Sequence, residues 1–223
     1  MKGIIFKTDM VRALLNTNFK TYPPEPIDPA KPCKGQMRRV LSPQPILDEA
    51  GMWHWKDCQW MDDGLGFPQS GTEDHARYKV GEVYYIKEST LLVPCIIDGV
   101  SVIVPMFEAD FSESSVKNMI ENGIKKASPI SFRHKSARLF MRQIDIRMER
   151  LHDITDADCI MEGVAGCSAY MLHRNGLNAC RDLFKQLWNR NHRIDGNGWD
   201  TNPWVWVYSF EKVKDASFFE RSN

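Results

Sequence analysis

The sequence predicts an α+β fold, a small β-barrel decorated with helices. Several short segments alternate apolar and polar residues as strands do, while others, such as residues 178–190, repeat apolar residues at helical spacing. The strand expected at residues 204–210 is apolar on both faces, which suits a closed barrel or a covered sheet. Mixed strand and helix periodicity of this kind is typical of the α+β class.

Length and composition are those of an ordinary globular protein. The 223 residues can bury a substantial core and suggest one domain with insertions, or at most two small domains. Hydrophobic residues make up 43% of the chain and charged residues 26%, which is typical of soluble proteins. Lysine plus arginine and aspartate plus glutamate number 29 each, so the chain has no excess charge with which to coat nucleic acid. The zero net charge does not exclude a local basic groove on the surface.

The first residues lack the apolar core of a signal peptide, and no apolar run is long enough to span a membrane. We therefore expect a cytoplasmic protein without a membrane partner. The sequence gives no indication of the oligomeric state.

The six cysteines favour free thiols over a metal site. No pair has the spacing C-x-x-C, and a reducing compartment keeps buried thiols free. A zinc site is conceivable, but its spacings match no standard pattern, at Cys159, Cys167, His173 and Cys180. We expect no metal and no cofactor.

The first part of the chain alternates between short regular elements and irregular stretches. Residues 3–7 are expected to form a strand, and Thr8 is a good N-cap for the helix that follows. Five prolines between residues 22 and 32 exclude a helix there. Strand character returns at residues 40–41, and residues 42–77 show no clear period.

A hairpin and a helix are the clearest elements in the middle of the chain. Asp98-Gly99 is a strong two-residue turn signal between apolar runs. Ser112 opens a helical pattern that Pro129 ends. We expect the hairpin strands to lie in one curved, largely antiparallel sheet with the strands near residues 82–88, 138–150 and 203–211.

Residues 138–164 show the alternation of a long strand, followed by a short helix. Thr155 is a good N-cap with Asp158 three residues on, and Gly163 can adopt the left-handed conformation that closes a helix. The helix then ends on Glu162, where the helix dipole disfavours a carboxylate by about 0.3–1 kcal/mol. A misplaced charge can mark a functional residue, and a solvated glutamate is the alternative.

Seven blocks of the sequence stand in the order of a known family and cover both ends of the chain. They are Ile4 to Leu15, Lys34-Gly-Gln-Met-Arg-Arg-Val, Tyr78-Lys-Val-Gly-Glu, Ser128-Pro-Ile-Ser-Phe, Glu149-Arg-Leu-His-Asp-Ile-Thr, Glu162-Gly-Val and Gly198-Trp-Asp-Thr-Asn-Pro-Trp-Val-Trp-Val. Together they resemble the ASCH domain family, in its phage and prophage branch.

The resemblance implies a PUA-like fold, a small mixed β-barrel with flanking helices and inserted irregular segments. It also implies a single domain over residues 1–223, with insertions at about 21–33, 42–77 and 106–128. Relatives in this superfamily bind RNA or modified bases. The implied partner is therefore RNA, a nucleotide or a modified nucleoside.

Some small bacterial ASCH proteins are amidohydrolases that remove the acetyl group of N4-acetylcytidine with a lysine, a threonine and a glutamate. By motif, the catalytic lysine falls on Lys34 and the glutamate on Glu162, while a threonine position is occupied by Met37. Because methionine offers no nucleophile, Lys34 and Glu162 would act as an acid/base pair through water. A second threading places the lysine and threonine on Lys20 and Thr21 and restores a hydroxyl.

Further residues are candidates for contacts to a nucleic acid or nucleoside. Arg38 and Arg39 could grip phosphate through bidentate hydrogen bonds, and Arg138 could follow a phosphate backbone from the long strand. The alternative for these arginines is a solvated face balanced by acids. Trp199 could stack on a base and Asn202 could read a base edge, or both could form a turn with a buried ring.

Three functions follow from these observations. The first is an ASCH-type module that binds RNA, a nucleotide or a modified nucleoside near Lys34 and Glu162. The second is an amidohydrolase that acts on an N4-acylated cytidine-like nucleoside at the same place, and the third is a phage structural or interaction protein. Met37 favours the first over the second, and the zero net charge favours a small ligand over long nucleic acid.

Overall fold

The computed structural model describes residues 1–18, 20, 25–26, 33–61, 73–164, 179–192 and 194–213. These residues form a mixed α+β structure, which confirms the expected class. The described strands form separate sheets and no closed barrel. None of the helices in this part of the chain is long and apolar enough to cross a bilayer.

The elements are short, apart from two long strands near the end of the chain. The helices are α1 (Thr8–Leu15), α2 (Glu113–Glu121), α3 (Asp156–Met161) and α4 (Ala179–His192). The strands are β1 (Gly3–Ile5), β2 (Thr17–Asn18), β3 (Glu25–Pro26), β4 (Gln36–Val40), β5 (Ile46–Leu47), β6 (Met52–Trp55), β7 (Cys58–Met61), β8 (Val83–Lys87), β9 (Thr90–Ile97), β10 (Val100–Phe107), β11 (Lys125–Ala127), β12 (Phe140–Arg150) and β13 (Trp204–Val213).

The chain divides into two compact units, each assembled from separate stretches of sequence. Unit 1 is built mainly from the described residues of Met1–Leu15 and Val83–Met141. Unit 2 is built from those of Asn16–Glu82 and Arg142–Glu211.

In unit 1, β1 and β8 form a parallel pair, with Gly3 opposite Tyr85. β9 and β10 form the predicted hairpin, and its turn residues Asp98 and Gly99 have φ values of 50° and 76°. β11 pairs with the other edge of β9, which gives a sheet without β8. The expectation that the hairpin strands share one sheet with the strand near residues 82–88 was therefore wrong. The turn residues determine the hairpin, whereas its sheet depends on pairing with residues distant in sequence.

In unit 2, β13 lies between β12 and β4. β13 and β4 are antiparallel, with Val207 opposite Arg38 and Tyr208 opposite Met37. Because directly opposite residues face the same side of a sheet, Arg38 and Val207 share one face, and Met37 and Tyr208 share the other.

Both faces of this strand pair are covered. On the Val207 face, buried residues from α3 and α4 form a core that includes Cys159, Cys180, Phe184 and Trp188. On the other face, Tyr208 packs edge-on against Tyr78 at 5.0 Å, and Trp206 packs against Trp55 of the small sheet β5-β6-β7 at 5.7 Å. The apolar character of β13 on both sides follows from this double burial.

Candidate functional site

The site of interest lies in unit 2, where α3 ends. The N-terminus of α3 has the predicted capping box, in which Thr155 Oγ1 accepts from Asp158 N at 3.1 Å and the Asp158 carboxylate accepts from Thr155 N at 3.2 Å. At the other end Gly163 has a φ of 81°, the left-handed conformation that the sequence predicted. Glu162, the last residue before this glycine, is thereby held at the C-terminus of the helix.

The segment before β4 caps this C-terminus. Gly35 N donates to the carbonyl oxygen of Met161 at 2.9 Å, and Lys34 Nζ donates to that of Glu162 at 2.8 Å. Carbonyl groups at a helix C-terminus have no partners within the helix, so both bonds satisfy acceptors that would otherwise be unpaired. The ammonium group also carries the sign of charge that the helix dipole favours at this end.

The ammonium group of Lys34 and the guanidinium group of Arg38 both bind the Glu162 carboxylate. Lys34 Nζ lies 3.3 Å from Glu162 Oε2, and Arg38 Nη1 lies 3.0 Å from Glu162 Oε1. Arg38 Nη2 continues the network to Glu149 Oε1 at 2.6 Å and to Asp158 Oδ2 at 3.3 Å.

A third cation closes the network. Arg147 Nε donates to Glu149 Oε2 at 2.9 Å, and its Nη2 donates to Asp158 Oδ1 at 3.0 Å. Three cations thus face three buried or half-buried carboxylates, and Arg147 Nη1 also lies 3.8 Å from Oδ2 of the exposed Asp145 at the edge of the network. Without Asp145 the formal charges cancel. We call this set the ionic cluster; its members are Lys34, Arg38, Arg147, Glu149, Asp158 and Glu162.

The sheet geometry explains why these residues meet. Neighbouring strands lie about 4.8 Å apart, so β4 and β12, on either side of β13, are roughly 10 Å apart. Only long side chains can bridge that distance, and the β13 residue opposite Arg38 is the short Val207. Arg38 therefore reaches across β13 to Glu149 on β12.

The ionic cluster is buried. Lys34 has 0% of its surface exposed and Glu162 has 7%, whereas the side chain of Arg147 is 27% exposed. Burial acts to lower the pKa of Arg38, but the charges of Glu162, Glu149 and Asp158 outweigh it and raise that pKa above its ordinary value. Burial likewise acts to raise the pKa of Asp158, and the charge of Arg38 with the Thr155 hydrogen bond lowers it overall. Arg38 and Asp158 are therefore held in their charged forms.

Thr17 adds a hydroxyl next to Lys34. Its Oγ1 accepts from Lys34 N at 2.7 Å and donates to the carbonyl oxygen of Lys34 at 3.3 Å. The hydroxyl thus bonds the main chain of Lys34 in both directions and helps to fix the position of the lysine.

The structure brings together three of the residues singled out from the sequence: Lys34, Arg38 and Glu162. Met37 points to the opposite face of β4, and Arg39 is exposed on that face. Lys20 is also exposed, and its N donates to the Asn18 side chain at 3.1 Å. Three residues considered above lie outside the described part of the chain: Thr21, Cys167 and His173.

The remaining candidates lie elsewhere. Arg138 belongs to unit 1, where it binds Glu88 at 2.9 Å and Asp110 at 2.8 Å and stacks over the Phe107 ring. In unit 2, Trp199 is 9% exposed and packs within the core beside α4. Asn202 has a φ of 43° and accepts from His152 N at 2.8 Å through Oδ1, as a turn residue does.

Sequence reasoning missed Thr17, Arg147, Glu149 and Asp158 as members of one site. Asp158 was recognised as a capping residue, and its second role toward arginine has no local signature. Arg147 and Glu149 are two positions apart on β12, so their side chains lie on the same face of the strand. The contact of Glu149 with Arg38 depends on the order of the strands, which these two residues do not reveal.

No family model matches the chain, and neither a curated protein nor a solved structure matches it, so the resemblance to the ASCH family rests on the sequence blocks alone.

Proposed function

We propose that this chain is an ASCH-type module with a PUA-like arrangement that binds RNA, a nucleotide or a modified nucleoside at the ionic cluster. One observation carries the proposal. Lys34 and Glu162 are 128 positions apart in sequence, yet their side chains meet at 3.3 Å in the interior of unit 2. These are the two residues on which the resemblance places the site, so their meeting supports it.

The chemistry of the ionic cluster favours a base or nucleoside over a phosphate. Phosphate binding needs cations with unbalanced charge, and here Arg38 and Arg147 are neutralised by carboxylates. The cluster does offer hydrogen-bond donors beside acceptors, as the edge of a nucleobase does. In the proposed complex, residues of the ionic cluster give up hydrogen bonds to one another and form hydrogen bonds to the edge of the base instead.

A ligand must open the cluster to reach it. Lys34 has no exposed surface, and the most exposed cation of the set is Arg147. Binding therefore displaces protein atoms that cover Lys34, and the main-chain amides that hold the site, Gly35 and Gly163, should respond to it.

The test is calorimetric titration of the full chain with cytidine, N4-acetylcytidine, other modified nucleosides, nucleotides and a short single-stranded RNA. Glu162→Gln should lower the affinity for the ligand at least about tenfold, which corresponds to about 1.4 kcal/mol of binding free energy. The matched control is Glu211→Gln, which removes a half-exposed partner of Arg142 on β13 and should leave the affinity unchanged. Circular dichroism confirms that each variant is folded.

A second readout on the wild-type chain does not depend on any variant folding. Amide NMR shifts upon ligand addition should include Gly35 and Gly163. No binding by any ligand of the panel, or shifts confined to residues remote from α3, would overturn the proposal.

The amidohydrolase is the alternative, and the distance between Lys34 and Glu162 favours it over a purely structural protein. A carboxylate and an ammonium group 3.3 Å apart could activate water and stabilise the developing oxyanion. Acetate release from N4-acetylcytidine, measured by chromatography and abolished by Glu162→Gln, would establish it. Binding without release would establish the module instead.

A further inference from the structure

Three side chains of different ligand types converge at the hairpin between β6 and β7 in unit 2. They are Asp57, Cys58 and His75, and one ligand atom of each lies within 4.8 Å of the others. His75 Nε2 is 2.5 Å from Asp57 Oδ1, and Cys58 Sγ is 4.0 Å from the same oxygen. None of these residues belongs to the ionic cluster.

The backbone places the three groups without distortion of the strands. Trp55 pairs with Cys58, so Lys56 and Asp57 form a two-residue turn, with Lys56 at a φ of 54°. His75 comes from a separate 3₁₀ turn, and its ring contacts the edge of Trp55 at 5.4 Å. Because Trp55 is buried, the imidazole is packed against a rigid surface.

The spacing is close to that of a tetrahedral zinc site. Zinc lies about 2.3 Å from sulfur and about 2.0–2.2 Å from nitrogen or oxygen, which puts ligand atoms roughly 3.3–3.6 Å apart. The distance from Cys58 Sγ to Asp57 Oδ1 needs to shorten by less than half an ångström, and that from His75 to Asp57 to lengthen by less than one. The ligand atoms of Cys58 and His75 are at most 4.8 Å apart, so they need to approach by about 1.2 Å at most. Side-chain rotation of the exposed Asp57 can supply the first two changes, and rotation of the partly buried Cys58 the third.

Thiolate, imidazole and carboxylate together form the ligand repertoire of zinc. We propose that Asp57, Cys58 and His75 bind a zinc-type divalent cation, with a fourth position open to water or to an external ligand. This inference does not depend on the ligand of the ionic cluster.

A nucleophilic thiol fits these residues less well. Burial and the charge of Asp57 raise the pKa of the Cys58 thiol, so the free thiolate is disfavoured. A bound divalent cation reverses this balance, because it offsets the carboxylate and stabilises the thiolate.

The experiment uses the reduced, chelator-treated full chain and titrates it with Co²⁺. We expect one Co²⁺ per chain, with a thiolate-to-cobalt charge-transfer band in the near ultraviolet and strong visible bands typical of tetrahedral cobalt. Zn²⁺ should displace the cobalt and raise the thermal unfolding midpoint, since it binds the native state. Cys58→Ser should abolish the charge-transfer band, and His75→Ala should weaken binding at least about tenfold.

Two matched controls test whether cobalt binds instead to another cysteine or to another histidine–carboxylate pair. Cys95→Ser removes another partly buried free cysteine, and His54→Ala removes a histidine that binds Asp48 at 2.6 Å. Both should leave the cobalt spectrum unchanged. A wild-type chain that gives no charge-transfer band, or a band that persists in Cys58→Ser, would overturn the proposal.

Discussion

Among single residues, Lys34 combines contacts that a solvated lysine does not make. Its Nζ donates to the carbonyl oxygen of Glu162 and also pairs with the carboxylate of the same residue. The carboxylate at the wrong end of α3 is thus compensated by Lys34 and Arg38. Removal of one partner from a buried pair leaves an uncompensated charge, which is more unfavourable than losing both partners together.

Met37 determines how the enzyme alternative can be tested. Its side chain is buried on the face of β4 shared with Tyr208, away from Arg38 and Glu162. We therefore expect Met37→Thr to give no gain in N4-acetylcytidine hydrolysis, because the new hydroxyl would point away from the cluster. It should instead lower the free energy of unfolding, by about 1–3 kcal/mol for a poorly satisfied buried hydroxyl. Acetate release and urea unfolding are the measurements, and turnover gained in Met37→Thr would contradict this assignment of the two faces.

At the scale of elements, α3 links helix capping to the site. Thr155 accepts from Asp158 N and donates to Asp158 Oδ2 at 2.8 Å, while Asp158 also binds Arg38 and Arg147. The cap therefore orients one carboxylate of the ionic cluster. A helix of six residues has few other means of holding that carboxylate in place.

Thr155→Ala should consequently affect both stability and binding. We expect the loss of about 0.5–2 kcal/mol that is typical of an N-cap, together with weaker ligand binding. Ser112→Ala is the matched control, because Ser112 caps α2 in unit 1 through a 3.1 Å bond from Ser115 N. It should lower stability similarly and leave the affinity unchanged. Urea unfolding measures the stability, and calorimetry measures the affinity. Equal affinities in Thr155→Ala and Ser112→Ala would show that the α3 cap has no effect on ligand binding.

Elements with local signatures were predictable from the sequence. The capping box of α3, the left-handed Gly163 and the Asp98-Gly99 turn each depend on a few neighbouring residues, and all three are present. Pairing partners were not predictable in this way. The parallel contact of β1 with β8 and the sheet of β9 with β11 depend on residues far apart in sequence, which alternation does not encode.

The same distinction applies to the site. Glu162 stood out locally as a carboxylate at the wrong end of a helix, but only the family resemblance linked it to the distant Lys34. Glu149 was missed because its contact with Arg38 requires β13 to lie between β4 and β12, and Arg147 joins the network through Glu149 and Asp158. The grouping of Asp57 with His75 likewise depends on a fold that brings a hairpin turn next to a separate 3₁₀ turn.

At the scale of the whole molecule, basic and acidic residues balance one another in the chain and also within the ionic cluster. The chain has 29 basic and 29 acidic residues, and the ionic cluster is itself balanced. Two further arginines are also paired with carboxylates, since Arg138 binds Glu88 and Asp110, and Arg142 binds Glu211. Cations that are already paired release few counterions when a phosphate arrives, so this charge distribution favours a small ligand over long RNA.

The salt dependence of binding tests this conclusion. A protein that neutralises six to ten phosphates loses roughly 10³–10⁵ in affinity between about 50 and 200 mM salt. For a nucleoside ligand we expect a change in affinity of about twofold or less, because the proposed binding site is an electrically balanced cluster. Fluorescence anisotropy with a labelled ligand, repeated with a short single-stranded RNA, gives the comparison.

Arg39→Ala is the informative variant, since Arg39 is exposed on β4 while Arg38 is buried in ion pairs. A steep salt slope that flattens by roughly 0.7 in Arg39→Ala would show that RNA phosphates are bound on the opposite face of β4. A shallow slope lost with Glu162→Gln would assign binding to the ionic cluster.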